Sequence, residues 1–103
     1  MIDWQRVRDL REEIGDDDFS EVAELFVAEV EEVMDRLRGY ADPPQLEADL
    51  HFLKSSALNL GFTQLAALCQ DGERLAASGN PGGVALAPIF DCYEASKSAF
   101  LAG

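Results

Sequence analysis

The spacing of its apolar residues narrows what this chain can fold into more than any other feature. Every long periodic stretch repeats at three or four residues, and none alternates at two. A 3.6-residue period places apolar side chains on one stripe of a helix, whereas a half-buried strand needs a period of two. The first stretch carries Trp4, Val7, Leu10 and Ile14 and stops at Gly15. The acidic residues that follow read as a turn, and Asp18 with Glu21 three positions on forms a capping-box pattern opening a second helix. That helix presents Phe19, Val22, Phe26, Val30, Val33 and Leu37 as its buried stripe.

Pro43 and Pro44 interrupt the pattern and suit the first turn of a third helix, since proline's missing N–H costs nothing there. Its stripe is Leu46, Leu50, Leu53, Ala57 and Leu60, and Gly61 closes it as a C-terminal glycine does. Thr63 is placed to cap a fourth helix that buries Leu65, Leu68, Cys69, Gly72, Leu75 and Ala76. Residues 78–83 are the clearest loop. A fifth helix with Leu86, Ile89, Tyr93 and Phe100 follows, Pro88 lying near its first turn. Four amphipathic helices on short connections pack as an antiparallel up-and-down four-helix bundle, with the short N-terminal helix as an extra element across one end. The fold class is therefore all-α. At 103 residues and 48% hydrophobic content, residues 1–103 are expected to form one domain around one core.

Charge limits the partners. Asp and Glu number 20 against 8 Lys and Arg, a formal net charge of -12. Phosphate backbones are bound by neutralising cations, so no nucleic acid is expected, and anionic membrane surfaces are disfavoured for the same reason. No apolar run reaches the roughly 18–20 residues of a membrane span. The charged N-terminus is unlike a secretory signal. Cys69 and Cys92 sit in apolar patterns without ligand-like spacing and are expected as buried thiols rather than a disulfide. These features give a cytoplasmic protein. The start methionine and full set of helices fit a free-standing one, and the densely charged outer face of the second helix fits a monomer.

The third helix carries the only histidine, His51. With Leu46 at the centre of the stripe, each residue advances about 100°, so His51 falls near about 140°, on the far side. Lys54 lies at about 80°, Leu58 at about 120° and Ser55 at about 180° on the same wheel. A lone exposed histidine is ordinarily just a surface side chain. Here a lysine follows at i+3 on the same surface, where it can attract an anion placed on the ring. Small residues Ser55, Ser56 and Ala57 leave room for an approaching protein, and Leu58 adds an apolar contact to an outward face. A hydrolase would need an oxyanion hole, and helix-interior N–H groups are already bonded. A metal site would need more ligands than one histidine and Glu47 can supply, so no metal is expected. What remains is chemistry in which the imidazole is itself the nucleophile and accepts a group carried by a partner.

The stretch "HFLKSSALNLGF", His51 to Phe62, resembles the signature of histidine-containing phosphotransfer domains: the histidine, a lysine at +3, small residues at +4 to +6 and a glycine at +10. Here these are His51, Lys54, Ser55, Ser56, Ala57 and Gly61. The resemblance implies a four-helix bundle with an extra helix. It also implies phosphorelay signalling, in which His51 accepts a phosphoryl group from an aspartate on one receiver domain and passes it to an aspartate on another. The partners implied are receiver domains of response regulators and hybrid histidine kinases. The chain would have no kinase activity and no cofactor of its own, Mg²⁺ being supplied by the receiver. Lys54 would stabilise the phosphoryl group, while Ser55, Ser56 and Leu58 would form the partner surface and Gly61 a structural part of the motif. Glu73, 22 residues beyond His51, stands where the family often places a polar side chain that orients the ring. Gly72 beside it would permit close approach of the third and fourth helices. One position departs from the pattern: the +4 residue is usually glycine, and here it is Ser55. The alternative is a docking module that uses the same bundle face without being phosphorylated.

Overall fold

The structure, a computed structural model, describes residues 2–102. Its five α-helices are α1 (Trp4–Ile14), α2 (Asp16–Gly39), α3 (Pro43–Leu60), α4 (Thr63–Ala77) and α5 (Leu86–Ala102), with a 3₁₀ turn at Pro81–Gly83 between the last two. The bundle is elongated, 43 × 22 × 20 Å. Among the described residues the only β-type pairing is an isolated bridge between Ile2 and Phe62. No helix there is long and apolar enough to cross a membrane.

The element that carries His51 is the most firmly seated. Leu46, Leu50, Leu53, Ala57 and Leu60 are each at most 3% exposed, so the whole predicted stripe of α3 is core. Fully burying each leucine is worth about 2 kcal/mol, enough to fix the rotation of the helix and hence the face that looks outward. Gly72 lets α4 come close: a Cβ there would stand 3.0 Å from Leu50 Cδ1 and 3.2 Å from Val84 Cγ1. The expected close approach of α3 and α4 is thus present, and it brings the neighbouring Glu73 to the level of His51.

At the other end of the motif, Gly61 does two things. It closes α3 at φ 79°, a left-handed conformation that side chains with a Cβ resist. It also lies under the N-terminal segment, where the Asp3 N–H donates to Gly61 O at 2.7 Å. A Cβ at Gly61 would meet Asp3 O at 2.7 Å, inside contact distance of a backbone atom that α1 holds in place. Strain and displacement together predict that Gly61→Ala costs about 2 kcal/mol and lowers the melting midpoint by roughly 10 °C. A thermal melt within 2–3 °C of wild type would show that the N-terminal segment yields freely.

Several boundaries and exposures differ from the sequence-based expectation. Helix α2 starts at Asp16, with Gly15 as N-cap and no side-chain cap bond, so Asp16–Asp18 form its first turn and the Asp18–Glu21 capping box is not used. Three carboxylates at that terminus complement the helix dipole instead. Thr63 is the first residue of α4 rather than the residue before it. Trp4, expected in the core, is 40% exposed, and Leu75 is 37% exposed. Phe62 is fully buried, packed edge-on against Phe100 at 5.6 Å. Cys69 and Cys92 are free, buried thiols, and burial pushes Cys69 up to about 12.

Polar contacts without a signal in the apolar pattern fix α2 against its neighbours. Arg36 reaches the buried Asp49 of α3 at 2.6 Å. Glu31 accepts from Lys97 at 2.6 Å and from the Tyr93 hydroxyl at 2.8 Å, tying α2 to α5. The Lys97 ammonium, and next the Tyr93 hydroxyl, hold the Glu31 carboxyl below its ordinary range against the opposing effect of burial.

Candidate functional site

His51 projects from the middle of α3 on the side opposite the leucine stripe, as the helical wheel requires, and its side chain is 61% exposed. Its Nδ1 lies 2.7 Å from Oε2 of Glu73 on α4. A carboxylate can only accept, so the ring proton sits on Nδ1 and the lone pair is on Nε2. The ring is thereby held in one tautomer, and its unprotonated nitrogen is the one not turned to Glu73.

Glu73 does not serve the ring alone. Its Oε1 accepts from Lys54 Nζ at 2.9 Å, so one carboxylate bridges the histidine and the lysine through its two oxygens. Lys54 therefore meets Glu73 rather than the imidazole directly, with its stem along α3 and the side chain only 24% exposed. The Lys54 ammonium, and after it the bond to His51, hold the Glu73 carboxyl below its ordinary value of 4.5, outweighing partial burial that pushes it up. Because the folded value is depressed, the bridge is intact above pH 4.5 and its contribution to stability is lost only as the pH falls through the lowered value. Glu73→Ala is expected to free the ring to a mixture of tautomers, read from the ring nitrogen chemical shifts at neutral pH. Unchanged shifts would mean that Glu73 does not set the tautomer.

The remaining sequence-predicted residues divide. Ser55, one turn along from His51, is exposed, and Leu58 is 54% exposed on the same side of α3. Ser56 is only 7% exposed and turns inward, so it is a packing residue and not part of the outer surface. Gly61 closes α3 three turns from the histidine and takes no part in the surface around the ring. No group of three or more His, Cys, Asp or Glu that could hold a metal ion is present among the described residues.

Chemically, the arrangement offers an accessible, oriented imidazole nitrogen, a carboxylate behind the ring and a cation beside it. A positive charge developing on the ring is met by Glu73, whose other oxygen holds the Lys54 ammonium. No curated protein and no solved structure gives a significant match to the chain. The family model of the Hpt domain matches residues 21–99, which takes in α3, α4, the histidine and both of its charged neighbours. The chain belongs to the Hpt domain family, the histidine phosphotransfer domains of phosphorelay signalling.

Proposed function

We propose that His51 is the phosphoacceptor of a phosphorelay step between two receiver domains. The observation that carries this reading is the 2.7 Å bond from Nδ1 to Glu73, because it leaves Nε2 as the nucleophile on an exposed face. In the forward step Nε2 attacks the phosphorus of a receiver's aspartyl phosphate. The N–P bond forms, the P–O bond to the aspartate breaks, and the electron pair returns to the receiver's carboxylate. The ring gains positive charge as this happens, and the Glu73 carboxylate at Nδ1 compensates it. Transfer onward to a second receiver reverses the same bonds. Phosphoryl transfer is largely positioning and charge stabilisation. The receiver supplies Mg²⁺, while this chain supplies the ring, its tautomer and a docking face over Ser55 and Leu58. Such a carrier has no kinase activity of its own and works in the cytoplasm, as a monomer, where receiver domains are found.

Lys54 belongs to transfer more than to folding in this reading. A phosphorylated imidazole brings about two negative charges into a partly desolvated interface, where a cation counts for more than in open water. Partly exposed ion pairs contribute about 0–1 kcal/mol to stability. Lys54→Ala is therefore expected to leave the melting midpoint within about 3 °C and to slow phosphorylation of His51 about tenfold. Equal rates in a rapid-quench assay would make the lysine a solubilising charge only.

The reading is tested by mixing the chain with receivers of the same organism charged with acetyl [³²P]phosphate. Acid-labile, base-stable label moving to the chain is the expected result. No label from any cognate phosphorylated receiver would leave the bundle as a docking module and remove the proposal.

A further inference from the structure

On the side of the bundle formed by α1, α2 and α5, a concave surface opens. Helices α2 and α5 are clasped at one end, where Glu31 meets Lys97 and Arg38 meets Glu94 at 2.9 Å. Beyond Glu31 toward the α2 N-terminus the clasp ends, and a cavity of about 510 Å³ lies between α1, α2 and α5. Val7, Phe19, Ala23, Val27 and Phe100 give it an apolar floor. Trp4 and Leu101 line it too and are 40% and 67% exposed, so part of the apolar surface faces solvent. The α2 residues that line it run from Phe19 to Ala28, about 14 Å along the axis or two and a half helical turns. None of His51, Lys54, Ser55, Leu58 or Glu73 lines it, and most of the residues that do fall outside the segment 21–99 matched by the family model.

Its two walls carry opposite charges. On the α1 side the Arg11 guanidinium lies 4.4 Å over the Phe19 ring, donates no hydrogen bond among the described residues and meets Asp16 only at 4.0 Å. On the α2 side stands Glu24, which has no ion pair among the described residues. We propose that this groove takes an amphipathic helix of a partner polypeptide. Bulky apolar residues at i, i+3 or i+4 and i+7 would enter the floor, with a carboxylate on one flank at Arg11 and a cation on the other at Glu24. A helix fits the elongated, open shape and the two and a half turns of matching length. A second copy of this chain fits poorly, because each copy carries a formal net charge of -12. Docking there leaves the His51 face free, so the chain can hold one protein while a receiver visits the other side. This inference does not depend on His51 being phosphorylated.

The only tryptophan of the chain is Trp4, at the groove itself, so its emission reports occupancy directly. The probes are two synthetic 15-residue helices without Trp or Tyr. Both carry a leucine ridge at i, i+4 and i+7; one has glutamate along one flank and lysine along the other, and the second has lysine on both. The full chain titrated with the first peptide should show a saturable blue shift of Trp4 emission with Kd below about 100 μM. Arg11→Glu should weaken that peptide at least tenfold, and should bind the all-lysine peptide as tightly as wild type or more so. Ala28→Phe, at an exposed position, should obstruct the groove and lose both peptides with its helical circular dichroism unchanged. No shift up to 1 mM peptide would overturn the proposal, as would Arg11→Glu moving both affinities in the same direction. Two further results would also overturn it. Trp4 emission that changes on dilution of the chain alone would mark a self-association face, and tighter binding of anilinonaphthalene sulfonate than of either peptide would mark a small-ligand site.

Discussion

His51→Gln is expected to take no acid-labile phosphate from any charged receiver and to melt within about 3 °C of wild type. The side chain is 61% exposed, so its replacement opens no cavity, and α3 is held by leucines on its opposite side. What is lost locally is one bond to Glu73, and Lys54 still partners that carboxylate at 2.9 Å. A glutamine amide has no nucleophilic lone pair comparable to the imidazole nitrogen, so the covalent intermediate cannot form and the loss of label is complete rather than graded. Glutamine also keeps much of the length and polarity of histidine, which leaves the docking face intact. A phosphorylated receiver should therefore still bind the variant, with similar affinity, and simply keep its phosphate. Label that persists in His51→Gln would place the acceptor elsewhere on the chain.

The parts of this architecture that were legible beforehand are those with punctuation at both ends. Helix α3 opens on Pro43 and Pro44 and closes on Gly61, and its stripe is an unbroken series of leucines and one alanine, so both its limits and its rotation follow from spacing. Rotation in turn places His51 outward, since five residues on from Leu46 lies about 140° away. The start of α2 is less legible because Gly15 is at once the residue that closes α1 and the N-cap of α2, so no turn separates the two helices. Ser56 illustrates the limit of a stripe drawn from apolar residues alone. The buried sector of α3 is wider than its leucines, and a small polar residue at its edge turns inward with them.

Glu73 is a different kind of case. Periodicity cannot tell a glutamate facing a ring from one facing water, and the family resemblance is what points to position 73. The physical cue was the glycine before it, which permits α3 and α4 to approach at Leu50. The groove beside Trp4 left no cue at all. It arises between α1, α2 and α5 beyond Glu31, and the ion pairs that join α2 to α5 link residues 56 and 66 positions apart in the chain.

The serine at 55 provides the second large effect. It is exposed one helical turn from His51 and stands where the family usually has glycine. A receiver that brings its aspartate to Nε2 must cover this side chain, because residues three and four apart on a helix share a face. Ser55→Gly removes only a hydroxymethyl group and should transfer as fast as wild type or up to a few-fold faster, with a melting midpoint lower by a few degrees, since glycine within a helix costs about 0.5–1 kcal/mol. Ser55→Gln instead adds bulk where, in the proposed docking mode, the receiver backbone would pass. It should cut phosphotransfer by about 100-fold or more while the bundle stays folded, because the side chain points to solvent and touches no core. Leu58, a turn further along and 54% exposed, would supply apolar contact to the proposed docking face, so Leu58→Ala in the wild-type background should weaken binding without altering the chemistry at the ring. Blocking at Ser55 and weakening at Leu58 are therefore separable: single-turnover transfer at saturating receiver recovers in Leu58→Ala and stays low in Ser55→Gln. Normal transfer by Ser55→Gln would mean that receivers reach His51 from another side, along α4 and Glu73, and the docking face would have to be redrawn there.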